Sequence, residues 1–262
     1  MGEQKMKLAI LMSPKTDFPE AQISAACRLA KALDLPLTGI ATSEDTMEYY
    51  TTGMGVYAAA INQSVEMAEK ELERIADQFR NICAAEGVAQ EYYGQHGFMR
   101  FVWPELSPYF DFAVTTAPLS APEIATIGIS GTIQLGADTD IDGLDGRCLI
   151  AWDGSLEAAR AVRAAMPLLP RFDQIDVIMV DPKSRTMPHD IGSYLAAHDI
   201  TVNILREPSS GTPAASVILE EAATASLLVM GAYGVSATLE RLFGGVTERI
   251  HRDCKTPILF AN

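Results

Sequence analysis

One order of elements occurs twice along this chain, and it decides the fold class. In the second half, near-continuous apolar runs alternate with segments of helical spacing. RCLIAW (147–152) precedes LEAARAVRAAMPLL, IDVIMVDP precedes the short HDIGSYLAAHD, and ITVNILRE precedes PAASVILEEAATA. SLLVM and then TPILFA, near the end, complete the set. Strands that are apolar throughout belong in a parallel sheet with helices on both faces. Ser155, closing the turn DGS, predicts a helix N-cap, and Leu156, Ala159, Val162 and Met166 form one apolar face of that helix. Thr212 and Pro213 predict the N-cap and first residue of a later helix. Val246, Ile250 and Cys254 mark the inner face of the last one.

The first half repeats this order. KLAILM (7–12) matches RCLIAW, AQISAACRLAKAL matches EAARAVRAAMPLL, and LTGIAT matches DVIMVD. EYYG matches the strand at 201–207, and FDFAVTT matches ASLLVMG. A longer helix, from about Val56 to Glu86, is inserted between the second and third strands, and EKELERIADQFR within it has the spacing of a helix packed on one side. The apolar, small-residue start of that helix, TTGMGVYAAAI, reads as core or interface. The expected architecture is α/β, with two tandem open, mainly parallel five-stranded sheets and helices on both faces. Two halves, 1–143 and 144–262, meet in the acidic stretch GADTDIDGLDGR.

The 262 residues carry a net charge of −14, which argues against nucleic acid as a partner because no basic stripe offsets phosphate repulsion. No apolar window is long enough for a membrane span, and the run Leu8–Met12 is too short for a signal-peptide core, so a cytoplasmic location is expected. Cys27, Cys83, Cys148 and Cys254 lack CxxC spacing and read as free thiols. The four histidines are isolated, so no metal site is expected. Asp138, Asp140, Asp142 and Gly143 resemble the start of a calcium loop, but its twelfth position is Leu149, so a solvated linker is the better reading. P-loop, dinucleotide-fold, nucleophile-elbow and zinc-protease motifs are all missing, and no enzyme is expected, with slow ATP hydrolysis as the one enzymatic alternative left open.

The stretch after SLLVM, GAYGVSATLERLFGGVTERI, carries Gly231, Gly234, Gly244 and Gly245 ahead of a helical pattern. A loop leaving the carboxyl end of a parallel strand for a helix N-terminus is a natural anion site. Two readings stand: a phosphate cradle, or glycines that only permit tight strand-to-helix packing. Asp153, at the end of the half's first strand, is the nearest acidic group, and it also fits a plain Asp-Gly turn.

LLVMGAYG…LFGGVTERI together with LIAWDGSLEAARAV resembles the universal stress protein family, in its bacterial tandem-domain form. The resemblance is strong over 147–262 and rests on element order alone over 1–136. It implies an adenine-nucleotide hydrolase-like fold, a stress-response binding module, and ATP or another adenine nucleotide as ligand. Asp153 would lie near adenine and ribose, Val180 would border the base, and backbone N–H groups around Gly231, Gly234, Gly244 and Gly245 would face the phosphates. Gly245 stands where nucleotide-binding members have Ser or Thr, so one hydroxyl donor is lost. In the first half Ser13 and Pro14 replace Asp and Gly, and Thr116 and Leu119 replace the first two glycines, so that half is expected to have lost the site. The alternative is an interaction or apolar-ligand scaffold, its halves packed as an intramolecular pseudo-dimer with TPILFAN near the axis. Homodimerisation of the whole chain is left open.

Overall fold

A computed structural model describes residues 6–13, 19–43, 58–116, 119–135, 145–181, 190–233 and 245–262. The first half contains β1 (Leu8–Met12), α1 (Glu20–Leu33), β2 (Leu37–Ser43), α2 (Ala58–Glu86), β3 (Gln90–His96), α3 (Met99–Leu106), β4 (Phe112–Thr115), α4 (Ala121–Ile127) and β5 (Gly131–Gln134). The second contains β6 (Arg147–Ala151), α5 (Leu156–Ala165), β7 (Gln174–Val180), α6 (Ile191–Ala196), β8 (Asn203–Glu207), α7 (Ala214–Ala222), β9 (Leu227–Gly231), α8 (Val246–Asp253) and β10 (Ile258–Ala261). Helices α3 and α4 and strand β5 had not been singled out by the repeat. Each is short, at eight, seven and four residues, too brief for periodicity to declare it.

The strands form one sheet of ten, in the order β3-β2-β1-β4-β5-β10-β9-β6-β7-β8. Counted from the centre, both halves read fifth, fourth, first, second, third. Pairing is parallel within each half, and β5 meets β10 antiparallel, with Leu259 opposite Ile133. The two expected five-stranded sheets are therefore joined edge to edge. Each half left alone would present an unpaired strand there, and pairing the two removes both edges. The terminal strand does lie at the pseudo-twofold axis.

The period of two along the strands divides the core. Leu8, Ile10, Cys148, Ile150, Leu227 and Val229 face one side and belong to a single apolar cluster that crosses the junction. Ala9, Leu11 and Ala113 face the other side beneath α3, where Trp103 is fully buried. Leu149, Leu228, Ile258 and Phe260 pack with Ala121 and Ala125 of α4, so that helix also bridges the halves.

Helix α5 corrects one expected face. Leu156 is 66% exposed, and the buried stripe is Ala158, Ala161, Val162 and Ala165. Small side chains let the helix lie close to β9 and β10, whereas Leu156, the first helical residue, points outward. Pro213, with extended ψ of 137°, is the N-cap of α7, one residue later than expected. Ser155 does cap α5, its hydroxyl accepting the Ala158 N–H at 3.1 Å. On α2 the expected one-sided packing is present: Leu72, Ile75, Ala76 and Phe79 are buried, while Lys70–Glu66 and Arg80–Asp77 pair on the wet face. Most of its apolar start, 51–57, lies outside the described residues, as do Asp138, Asp140, Asp142, Gly143 and the expected boundary between halves.

Candidate functional site

In an open parallel sheet the crevice for a ligand opens where strand order reverses, at the carboxyl ends of the strands. In the second half that point lies between β6 and β9, which pair with Ile150 opposite Val229. The chain leaves β6 toward β7 on one side and arrives at β9 on the other. Asp153 follows β6 and Gly231 ends β9, so two of the expected site residues flank the crevice.

Asp153 is exposed, and its Oδ1 accepts the Ser155 N–H at 2.9 Å. Gly154 between them has φ of +79°, a conformation that glycine adopts without strain. One carboxylate lone pair thus shapes the turn, and the rest of the group faces solvent.

A Cβ on Gly231 would stand 2.7 Å from both the Ala158 N and the Glu157 carbonyl carbon, in the first turn of α5. These are backbone atoms and cannot swing aside. The absent side chain is what lets the first turn of α5 sit against the end of β9. For Gly231 the tight-packing reading holds, and that packing is also what brings the glycine beside the loop of Asp153.

Beyond Gly231 the chain is tied down at Tyr233, which has φ of +40° and is buried. Its hydroxyl donates to Glu248 Oε2 at 2.9 Å, in the first turn of α8. The Asn262 amide donates to the carbonyls of Ala232 and Tyr233 at 2.6 and 2.9 Å. Tyr233, Glu248 and Asn262 thus hold the start and end of the glycine stretch together. Sequence reasoning had passed over all three because nothing in their spacing marks them.

Gly245 occupies the N-cap of α8 with φ of −56° and ψ of 171°, and no side-chain cap is present. That backbone is open to any residue, so glycine is not required there by conformation. Thr247 is buried in the first turn. Val180 ends β7, half-buried, and faces the same core as Leu149 and Met230. It lies beyond β6, on the side away from Gly231. Next to it Asp181 accepts the Ser209 N–H at 2.9 Å, and the Ser209 side chain together with that N–H holds its carboxyl below the ordinary value. Gly234 and Gly244 lie outside the described residues.

The matching edge of the first half carries side chains where the second half has Asp153 and Gly231. Ser13, after β1, and Thr116, after β4, are both buried, and the Thr116 hydroxyl donates to the Leu11 carbonyl at 2.9 Å. Thr116 stands at the position after β4 that Gly231 holds at the end of β9. Leu119 packs into the core beneath α3, and Pro14 lies outside the described residues.

The chain matches a universal stress protein from Archaeoglobus fulgidus DSM 4304 over 97% of its own length and 96% of that chain, at TM-score 0.67 and 17% identity. This is the universal stress protein fold. A putative universal stress protein from Pseudomonas aeruginosa UCBPP-PA14 matches at TM-score 0.53 and 14% identity, over 98% of this chain and 94% of the other. A functionally unknown protein from Pseudomonas aeruginosa PAO1 matches at TM-score 0.51 and 15% identity, over 97% and 92%. No protein-family model matches the sequence, and neither does any curated protein. Among the described residues no helix is long and apolar enough to cross a membrane, and no three His, Cys, Asp or Glu gather as a metal site. The universal stress protein fold here thus places Gly231 at the carboxyl edge between β6 and β9, and the buried Ser13 and Thr116 at the matching edge of the first half.

Proposed function

We propose that the chain is a tandem, two-domain cytoplasmic universal stress protein, a non-enzymatic binding module whose only nucleotide site is in the half 144–262. The observation that carries this reading is the contact of Gly231 with the first turn of α5, which sets the Asp153 loop beside the start of the glycine stretch at the switch point. The ligand is ATP or another adenine nucleotide. Asp153 approaches the ribose, Val180 borders the base, and backbone N–H groups near Gly231, Gly234, Gly244 and Gly245 meet the phosphates. The first half acts as the structural partner across β5 and β10.

Phosphate binding is weak in this reading. Gly245 supplies no hydroxyl, and a hydrogen bond to a charged acceptor contributes about 1.5–3 kcal/mol. Glu157 and Glu248 occupy the first turns of α5 and α8, where each already complements the helix dipole and repels a further anion. Calorimetric titration with ATP and with adenosine, on the native protein and on Asp153→Ala, tests the assignment. Loss of binding of both ligands in the variant is expected. Equal, undetectable binding by both proteins would leave a scaffold without a nucleotide. The scaffold reading draws on the antiparallel β5–β10 pairing, which completes inside one chain a contact that separate subunits could otherwise make.

A further inference from the structure

Cys27 on α1 and Cys83 on α2 are 56 positions apart in sequence, yet their sulfurs lie 3.6 Å from each other in a thiol–thiol hydrogen bond. Both side chains are fully buried in the seam between the two helices. Lys31 and Glu86, one turn further along each helix, approach to 4.0 Å at the rim of the same seam. We propose that Cys27 and Cys83 form a redox-active dithiol that hydrogen peroxide, or a comparable small oxidant, converts to a disulfide clasping the inserted helix to α1.

The geometry requires little of the backbone. The sulfurs already touch, and a bond of about 2.05 Å needs them to close by roughly 1.5 Å, within reach of side-chain rotation and a small shift of one helix. The pair is also asymmetric. The hydrogen bond between them lowers the pKa of Cys83, while that bond and burial push Cys27 up. With Cys83 as the attacking sulfur, Cys27 is the resolving thiol.

In the first step the Cys83 thiolate attacks one peroxide oxygen, the O–O bond breaks, and the other oxygen leaves as water with the thiol proton. Cys83 is then a sulfenic acid. In the second, Cys27 attacks that sulfur, the S–O bond breaks, and the hydroxyl leaves as water with the Cys27 proton. The two sulfurs lose two electrons in all, and one hydrogen peroxide is reduced to two waters. Because both sulfurs are buried, the oxidant reaches them when the seam opens, so the reaction is slower than at an exposed thiol.

Cys148 and Cys254 are the remaining cysteines, one buried and one half-buried, and neither has a sulfur partner among the described residues. The test is to treat the folded native protein with hydrogen peroxide, block remaining thiols by alkylation, and map peptides without reduction. The expected result is a peptide pair joined through Cys27 and Cys83, with two of the four thiols lost, both restored by dithiothreitol. Cys254→Ser should behave as the native protein does, and Cys83→Ser should keep its remaining three thiols under the same exposure. Retention of all four thiols in the folded native protein, while the urea-unfolded chain loses them, would overturn the proposal. So would a cross-link map in which the disulfide joins Cys254 of two chains. Both of these readouts use the unaltered protein, so misfolding of a variant cannot mask the outcome.

Discussion

Gly231 and Gly245 are one motif on paper and two different physical situations in the fold. Gly231→Ala would place a methyl 2.7 Å from backbone atoms of α5, so β9 and α5 must part. A loss of about 1–3 kcal/mol in urea denaturation is expected, with weaker nucleotide binding in calorimetry. Gly245 has an ordinary extended backbone, so Gly245→Ser should change stability by only a few tenths of a kcal/mol. Its new hydroxyl should raise ATP affinity about tenfold and leave adenosine affinity unchanged. A gain shared equally by both ligands would place the hydroxyl away from phosphate. His251 is another site where one group carries a measurable effect. Burial lowers its pKa, against the opposing pull of Glu248 and Glu123, and it joins Gln134 across the junction of the halves. The folded protein therefore binds fewer protons here than the unfolded chain. Stability from this group is complete above the unfolded pKa of about 6.5 and falls as pH drops below it toward the folded value. The urea midpoint should fall more from about pH 7.5 to about pH 5 in the native protein than in His251→Asn.

The amino ends of β6, β7 and β8 are locked by one polar network. Asp176 accepts from Arg147 at 2.6 Å, Asn203 at 2.8 Å and Gln174 at 2.8 Å, and Arg147 also reaches Glu221 at 2.7 Å. Burial opposes ionisation of Asp176, but the hydrogen bonds from Asn203, Gln174 and Arg147 outweigh it and hold its pKa below the ordinary value. Asp176→Ala leaves Arg147 part-buried without its nearest carboxylate, and a loss of about 3–5 kcal/mol in urea denaturation is expected. Lys70→Ala, which breaks an exposed pair on α2, should cost no more than about 0.5 kcal/mol. Similar losses in the two variants would mean that the network is not what fixes these strand ends. Much of this level was legible in the chain: every strand but β5, the cap at Ser155 and the one-sided burial of α2 follow from local period and capping chemistry. Leu156 was misplaced because a helix's first residue is turned by where the helix docks, which no window of sequence contains.

Across the whole molecule, one sheet and one apolar cluster run through both halves, and Arg171 adds a hydrogen bond to the Ala32 carbonyl at the end of α1. Such sharing should make unfolding cooperative. The chain has two tryptophans, Trp103 in the first half and Trp152 in the second, so Trp103→Phe and Trp152→Phe each leave a single reporter. Within each variant, the fluorescence of the remaining tryptophan and the far-ultraviolet circular dichroism of the whole chain should report the same urea midpoint. Separate midpoints in either variant would show that the halves unfold independently despite the β5–β10 pairing.

By itself the sequence determined the α/β class, the twofold recurrence of strand and helix, and the glycine spacing after β9, because each depends on residues near one another in the chain. It also held the first half's departures, Ser13 and Thr116, as plain residue identities. Only the tertiary structure decided that the two sheets are one, that Gly231 serves a backbone contact with α5, and that Cys27 and Cys83 touch. Those outcomes join residues far apart in the chain, 56 positions for the cysteine pair. They depend on how whole elements dock, and local periodicity carries no record of that.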